Sequence, residues 1–224
     1  MIPKILHRIW LGGDAPPVYQ SFLGRWRDLH PGWEIRDWGD GDFGWLKNQR
    51  LFDLASEYVP EDGIYQMKSD VARYEILDKF GGVYADADTE PLRAFDDLLD
   101  VQAFAGWEVP GQFIANGMVG CVPGHPMIKK IIEMLPEWAE QHKGRAATFV
   151  CGPRLFSHVY HHMRPDMVVH SRNTFYPYLY SDLTKGKGTV DPAALSYPDS
   201  YSVHHWNHKR EVRGLVERLG AVKA

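Results

Sequence analysis

The chain has 224 residues, and its 25 Lys and Arg stand against 29 Asp and Glu, for a formal net charge of −4. Apolar residues make up 44% and charged residues 24%, which excludes a disordered chain and fits one folded domain. The negative net charge offers no general attraction to phosphate backbones, so nucleic acid is not an expected partner.

The first residues lack the apolar run of a secretion signal, and no later segment approaches the roughly 18 apolar residues of a membrane span. The two cysteines, Cys121 and Cys151, form no CxxC pair. We therefore expect a cytoplasmic protein with at most peripheral contact with the cytoplasmic face of a membrane. The sequence does not determine the oligomeric state.

In chain order, residues 4–11 alternate like a buried strand and end at the loop signal Gly12-Gly13. A helix is expected around residues 21–29 and a second strand over 33–38. Strand, helix and strand at this spacing predict an α/β fold with a mainly parallel sheet. Apolar residues then recur every three or four positions over 65–80, which predicts an amphipathic helix closed by Gly81-Gly82.

Directly after this helix, residues 83–88 predict a short strand in which Tyr84, Asp86 and Asp88 share one face. Two carboxylates at the carboxyl edge of a parallel sheet suit a Mg²⁺ or Mn²⁺ ion that keeps positions open for substrate phosphates. In the preceding helix, Asp70 and Arg73 lie three residues apart on one face. Taken alone, that spacing is typical of an ordinary ion pair.

Further strands are expected over residues 104–108 and 118–122, with helices over 126–138 and 148–161. A strand over 201–206 precedes an amphipathic basic helix over 209–223. Alternation in this strand places His204 and Trp206 on one side and His205 on the other, so one histidine at most can face a metal. We expect a single domain over residues 1–208, with residues 209–224 part of it or appended to it.

Five blocks occur in a fixed order along nearly the whole chain. They are residues 2–13, S-D-x-x-R-Y over 69–74, G-G-x-Y-x-D-x-D over 81–88, C-G-P over 151–153 and H-H-W over 204–206. With these blocks the chain resembles glycosyltransferase family 32, the DXD-containing sugar transferases. That family includes capsular polysaccharide transferases and Och1-type mannosyltransferases, and more distantly resembles the catalytic domains of glucosylating clostridial toxins.

The resemblance implies a GT-A fold, which is Rossmann-like, and a nucleotide-sugar donor. It also implies that Trp10 stacks on the donor base, with Ile9 beside it. Asp70 and Arg73 would hold sugar hydroxyls and ribose or phosphate, and Tyr84 would lie over the nucleotide.

The resemblance further implies a divalent metal. Asp88 would bind this metal directly. Asp86 would reach the metal through water and would also contact the ribose. His205 is expected to be the remaining ligand, with His204 as the runner-up. Imidazole favours Mn²⁺ over Mg²⁺. Asn116 is expected to face the acceptor or donor sugar.

The chain departs from the family pattern at two places. Cys151 replaces the usual Thr before Gly-Pro, so a hydroxyl contact is lost there. After His-His-Trp, the segment over 207–210 replaces a small-residue turn, and Lys209 or Arg210 either contacts the leaving diphosphate or is solvated.

The resemblance therefore predicts a metal-dependent retaining hexosyltransferase in which Asp70, Arg73, Asp86 and Asp88 are catalytic. A UDP-sugar is favoured over a GDP-sugar, and the acceptor is a glycan, a lipid-linked glycan or a protein. Because no nucleophilic carboxylate is evident, we expect substitution on the same face of the sugar.

Two other classes of function remain open. Residues 86–89 also fit the D-x-D-x-T of haloacid-dehalogenase-type phosphohydrolases, in which Asp86 would be the nucleophile and Asp88 the acid or base. The downstream acidic pair that such enzymes need is not evident in the sequence. A catalytically inactive sugar- or nucleotide-binding GT-A module requires no particular residue.

Overall fold

The computed structural model describes residues 1–179, 182 and 197–206. The strands in these ranges are β1 Ile5–Ile9, β2 Glu34–Trp38, β3 Gly82–Ala85, β4 Thr89–Pro91, β5 Ala103–Val109, β6 Phe113–Cys121, β7 Val168–His170 and β8 Ser202–His204. The α-helices are α1 Pro17–Leu29, α2 Gln49–Asp53, α3 Ile64–Phe80, α4 Pro126–Gln141, α5 Ala147–Val150, α6 Pro153–Met163 and α7 Arg172–Phe175.

Six strands form the central sheet in the order β2-β1-β3-β6-β5-β7. β1 pairs in parallel with β2 and β3, and β5 pairs in parallel with β7, whereas β6 runs against both of its neighbours. The prediction of an α/β fold with a mainly parallel sheet is confirmed. The carboxyl ends of β1 and β3 consequently lie side by side at one edge, where α/β folds bind ligands.

The turn from α3 into β3 depends on two glycines. Gly81 has φ +62° and ends the helix, and Gly82 has φ +89°. A Cβ on Gly82 would lie 2.5 Å from the carbonyl oxygen of Ile5. Glycine therefore allows β3 to turn sharply out of the helix and still lie close to β1.

Two hydrophobic clusters cover the two faces of the sheet. One contains the buried side chains of α3, α4 and α6 together with Ala105 and Val119. The other joins Trp26, Phe95 and Phe175 to Leu6 and Phe104 of the sheet. Phe104 belongs to the second cluster and its two chain neighbours belong to the first. This is the period-two pattern of a strand that is buried on both faces.

The structure corrects three of the expected elements. The strand expected over 83–88 ends at Ala85, and residues 86–88 form a turn closed by the Thr89 N–H donating to the Asp86 carbonyl at 2.9 Å. The helix expected over 148–161 is divided into α5 and α6, because Pro153 starts a new helix and disfavours helical geometry at Gly152.

The last described strand, β8, is shorter than the expected 201–206 and does not join the central sheet. It pairs antiparallel with β4, with Thr89 opposite His204. The helix expected over 209–223, together with Lys209, Arg210 and the domain boundary after residue 208, lies outside the described residues.

Candidate active site

Three potential metal ligands meet at the carboxyl edge of the sheet. Ligand atoms of Asp86, Asp88 and His204 all lie within 4.8 Å of one another. His204 Nε2 is 3.1 Å from Asp86 Oδ2 and 3.3 Å from Asp88 Oδ1. The turn after β3 supplies the carboxylates and β8 supplies the imidazole, so the two carboxylates converge through a turn and not through strand alternation.

The geometry corrects the choice between the two histidines. His205 Nε2 donates to Glu90 at 3.0 Å, and its Nδ1 accepts a hydrogen bond from the Tyr178 hydroxyl at 2.7 Å. Its ring also stacks on Phe22 with centroids 5.2 Å apart. Both ring nitrogens of His205 are thus used inside the protein, and His204, the runner-up, is the histidine that joins the carboxylates.

Arg73 links α3 to this turn from below. Its guanidinium is buried and lies 3.1 Å from Asp70 Oδ1 and 3.0 Å from Asp86 Oδ1. It also donates to the Asn116 carbonyl at 2.8 Å. The predicted pair of Asp70 and Arg73 is present, but Arg73 is occupied by protein groups and holds Asp86 in place.

Asp86 is a carboxylate over the whole physiological range. Burial raises its pKa, but the charge of Arg73 and the hydrogen bond from His204 outweigh burial and lower that pKa to about 2. The imidazole of His204 responds in the opposite sense: burial lowers its pKa, but Asp88 and Asp86 together raise it above the usual value. The two carboxylates therefore favour a positive charge at the position of His204.

Asp70 and Asn116 form a buried layer beneath the cluster. Asn116 Nδ2 donates to Asp70 Oδ1 and to the Tyr74 hydroxyl, both at 2.8 Å. Burial raises the pKa of Asp70 to about 6, with Arg73 opposing this rise. Cys151 Sγ lies 3.5 Å from Asp70 Oδ2, where the family has a hydroxyl. Asp70 and Asn116 are both buried beneath the cluster, and their predicted contacts with the sugar stay predictions.

Tyr84 contacts both Arg73 and Asp86. Its ring is buried, with the Arg73 guanidinium 4.4 Å from the ring centroid, and its hydroxyl donates to Asp86 Oδ1 at 2.9 Å. This ring packs against Arg73 beside the carboxylates, and its predicted contact with a nucleotide stays a prediction. Its hydroxyl adds a second support for Asp86.

The predicted base-binding pair lies at the end of β1. Ile9 is buried in the core and presents no surface to a nucleotide. Trp10 is half-buried, with its ring centroid 4.9 Å from that of Tyr19. Its indole N–H has no hydrogen-bond partner among the described residues. Trp10 is thus a suitable surface for stacking, and Ile9 serves only to anchor it.

Three residues near the cluster were not predicted. A Cβ on Gly117 would lie 2.5 Å from Asp86 Oδ2, so glycine leaves room for the carboxylate. The buried ring of Tyr176 is 5.8 Å from that of His204. Glu108 follows a β-bulge in β5, and burial raises its pKa while His204 and Arg154 oppose the rise. Sequence pattern carries no signal for these positions, because they come close to the cluster only through contacts that are distant in sequence.

A mainly parallel sheet with a DxD turn at its carboxyl edge is typical of the GT-A fold. Residues 16–105 match the family described as the glycosyltransferase sugar-binding region containing a DXD motif. These residues include the S-D-x-x-R-Y and G-G-x-Y-x-D-x-D blocks, so the predicted similarity to DXD-containing sugar transferases is confirmed.

Two relatives illustrate this relationship. Inositol phosphoceramide mannosyltransferase 3 of Schizosaccharomyces pombe is 28% identical over 228 residues, which cover 92% of this chain and 60% of the relative. Mannosyl phosphorylinositol ceramide synthase CSH1 of Saccharomyces cerevisiae is 30% identical over 147 residues, covering 62% of this chain and 36% of the relative. The chain therefore spans about 60% or less of the length of these curated relatives.

Solved structures confirm the fold. PaToxG glycosyltransferase superposes with a TM-score of 0.59 at 13% identity, covering 72% of this chain and 69% of that one. The galactosyltransferase LgtC, in complex with donor and acceptor sugar analogues, gives a TM-score of 0.52 at 13% identity, covering 96% and 95%. At these identities the likeness is one of fold alone.

The expected cytoplasmic location is wrong. Several of the relatives that match are named for action on inositol phosphoceramide, which is a membrane lipid. Within the ranges that the structure describes, no helix combines the length and apolarity needed to cross a bilayer.

Proposed function

We propose that this chain is a metal-dependent, retaining hexosyltransferase that moves a sugar from a nucleoside-diphosphate donor to a hydroxyl of a glycolipid or glycan. The observation that carries the proposal is the convergence of Asp86, Asp88 and His204 at the carboxyl edge of the sheet. A buried arginine fixes the first of these carboxylates, so the cluster is organised for a cation before any ligand arrives.

The donor atoms fit a divalent metal. Two carboxylate oxygens and one imidazole nitrogen favour Mn²⁺, because Mg²⁺ prefers oxygen ligands and water. Asp88 and His204 would hold the ion directly, and Asp86 would do so directly or through water. When bound, the ion supplies positive charge that stabilises the departing diphosphate.

The side chains around the cluster have supporting roles in this reaction. Arg73 and Tyr84 hold Asp86 in one orientation, and Trp10 offers its ring to the donor base. Asp70 and Asn116 fix Arg73 from the far side. Because all five side chains are held by neighbours in α1, α3, β3 and β6, the site needs little reorganisation when the donor binds.

We propose that transfer takes place on one face of the sugar. The acceptor oxygen attacks the anomeric carbon as its bond to the diphosphate breaks, and an oxygen of the departing diphosphate takes the hydroxyl proton. A covalent glycosyl-enzyme detected by intact mass after donor addition would contradict this. In that case Glu108 would be the first carboxylate to substitute.

The names of the relatives support a mannosyl donor and an inositol-phosphate lipid as acceptor. A structure of the same fold, the glycosyltransferase domain of the YGT toxin, was solved with UDP bound, which supports a uridine nucleotide. A glycan or protein acceptor remains the other possibility for the same chemistry. Because the two kinds of support differ on the donor, the experiment compares UDP with GDP.

The test is thermal stabilisation by UDP and by GDP, each with and without Mn²⁺. We expect one nucleotide at ~100 times its Kd to stabilise the chain by about 2.7 kcal/mol when Mn²⁺ is present, and much less without it. Asp88→Ala and His204→Ala should abolish the metal-dependent part. His205→Ala is the matched control, and it should keep the metal-dependent shift relative to its own lower baseline.

The proposal fails if neither nucleotide stabilises the wild-type chain in a metal-dependent way. Release of phosphate from an aryl phosphate, lost in Asp86→Asn, would instead establish the phosphohydrolase reading. Stabilisation by nucleotide and metal without any sugar transfer or donor hydrolysis would indicate the inactive binding module.

A further inference from the structure

A cavity lies between α4, α5, α6 and the turn from β5 to β6. Its volume is about 420 Å³. Its described lining residues are Gln112, Phe113, Trp138, His142, Arg145, Phe149, Arg154, Ser157, His158, His161 and His162. We refer to this cavity as the histidine groove. Its size is within the range of small-ligand sites, which is roughly 300 to 1,000 Å³.

The histidine groove is electropositive. Its described lining includes two arginines and no Asp or Glu. Arg145 and Arg154 both lie against the ring of Phe149, with guanidinium carbons 3.8 Å and 4.3 Å from the ring centroid. No described carboxylate lies within 4.0 Å of either guanidinium, although Arg154 interacts at longer range with the half-buried Glu108. Both guanidinium groups can therefore still pair with an anion.

The aromatic rings in the groove form a connected wall. Trp138 is half-buried and packs against His142 and His158, with ring centroids 4.4 Å and 4.7 Å away. His158 in turn packs against His162 at 4.0 Å. The Trp138 indole donates to the Phe149 carbonyl at 2.9 Å, which fixes the ring. A flat, fixed aromatic surface beside free cationic groups suits a polyol ring that bears an acidic group.

The histidine groove shares no residue with the metal cluster, but both contact β6. Phe113 lines the groove. Gly117 lies four residues further along β6, and its carbonyl accepts a hydrogen bond from the Asp86 backbone N–H. Four residues of strand correspond to ~13 Å. One extended ligand can therefore reach both places, whereas a small ligand bound in the groove leaves the metal cluster open.

We propose that the histidine groove binds the phosphate-bearing polyol of the acceptor, with Arg145 and Arg154 pairing with the phosphate and Trp138 supporting the ring. The acceptor role rests on the proposed function, whereas binding itself does not. The phosphate can belong to a soluble polyol phosphate or to a lipid headgroup. Both present the same chemistry to the groove.

The test uses the full chain without metal or nucleotide. Binding of myo-inositol 1-phosphate is followed by NMR on the ring signals of His158 and His162, assigned with His158→Gln and His162→Gln. We expect these signals to move, and the Arg145→Gln/Arg154→Gln double variant to bind at least 10-fold more weakly. Arg50→Gln, an exposed arginine on α2, is the matched control and should bind like wild type.

Neutral myo-inositol should bind at least 10-fold more weakly than its phosphate. In a second arm, phosphatidylcholine vesicles with and without phosphatidylinositol are sedimented with the chain. Binding in either arm that requires both arginines supports the proposal, and the arm in which it is tighter identifies the source of the phosphate.

Unmoved histidine signals, together with sedimentation that does not depend on phosphatidylinositol, would overturn the proposal, as would equal binding of the neutral polyol or of the double variant. Because no metal or nucleotide is present, these results are independent of the donor-binding experiment. Failure of donor binding with intact groove binding would remove the acceptor role alone.

Discussion

At the scale of single residues, Gly117 leaves the space that the Asp86 carboxylate and the His204 ring occupy in the metal cluster. A Cβ at this position would lie 2.5 Å from Asp86 Oδ2 and 3.3 Å from His204 Nε2. Separations below 3 Å force an atom to move, and here the atom is a proposed metal ligand. Gly117 is therefore part of the site although it has no functional group.

We predict that Gly117→Ala displaces the Asp86 carboxylate and weakens Mn²⁺ binding by at least 10-fold. Titration calorimetry with Mn²⁺ measures this, and circular dichroism confirms folding. Gly24→Ala is the control, because a Cβ at that position in α1 meets no atom within 4 Å. Unchanged Mn²⁺ affinity in a folded Gly117→Ala chain would show that the cluster does not hold the ion.

Some of the site residues could be predicted from the sequence alone. The blocks around Asp70, Arg73, Asp86 and Asp88 were found from the sequence, because each is a chemically distinctive group in a fixed order. The prediction that His205 is the metal ligand was wrong. Strand alternation places the two histidines on opposite sides of the strand, but it does not show which side faces the carboxylates. That side is decided by the pairing of Thr89 with His204, which is a contact distant in sequence.

At the scale of elements, the junction between α3 and β3 positions the whole site. Gly82 combines φ +89° with a close approach to the Ile5 carbonyl oxygen, 2.5 Å from where its Cβ would lie. The positive φ alone costs about 1 kcal/mol for an L-residue. The contact adds a second cost, because β3 must move away from β1.

We predict that Gly82→Ala lowers the free energy of unfolding by about 3 kcal/mol, well beyond the ~1 kcal/mol of the φ effect. Gly32→Ala isolates that φ effect, since Gly32 has φ +82° and its Cβ would meet nothing within 4 Å. Urea unfolding of both variants gives the difference. Equal losses in the two variants would mean that the β1–β3 contact has no energetic weight.

Elements with local signals were predicted well. The apolar period over residues 65–80 gave α3, which spans Ile64–Phe80, and Gly81 marked its end. The turn at 86–88 and the pairing of β4 with β8 were missed. Neither is encoded in local periodicity, since the turn is fixed by the Gly117 carbonyl and the pairing joins segments more than 100 residues apart.

At the scale of the whole molecule, a buried histidine links stability to pH. His7 Nε2 donates to the Gly81 carbonyl at 2.9 Å, and His7 Nδ1 accepts from the Trp38 indole at 3.3 Å. The contact with Trp38 requires the neutral ring, because a protonated Nδ1 cannot accept a hydrogen bond. Burial lowers the pKa of His7 from 6.5 to about 4, although the Gly81 hydrogen bond opposes this.

Between pH 6.5 and about 4 the unfolded chain takes up a proton at His7 that the folded chain does not. Stability is therefore fully present above pH 6.5 and falls as the pH drops through this window, by up to about 3 kcal/mol from this residue. We predict that His7→Gln flattens the pH dependence of the unfolding free energy between pH 7 and 5. The exposed His162→Gln serves as control, and an equal slope in wild type and His7→Gln would refute the assignment.

The fold class was predictable at this scale, and the location was not. Hydrophobic patterns and the order of the motifs determine the sheet and its edge, because both reflect burial. The compartment of a protein depends on what it recognises, which burial patterns do not record, and several matching relatives are named for a membrane lipid.

Trp206, whose backbone is left-handed at φ +55°, lies where it can report whether the ion is bound. Its backbone N–H donates to His204 Nδ1 at 3.2 Å, while its indole donates to the Tyr178 carbonyl at 2.9 Å. A neutral imidazole that coordinates through Nε2 carries its proton on Nδ1, where the Trp206 amide now donates. Loading the site must therefore loosen this amide and disturb the indole beside it. Trp206 is thus a built-in optical reporter, whose fluorescence should register occupancy without any added label.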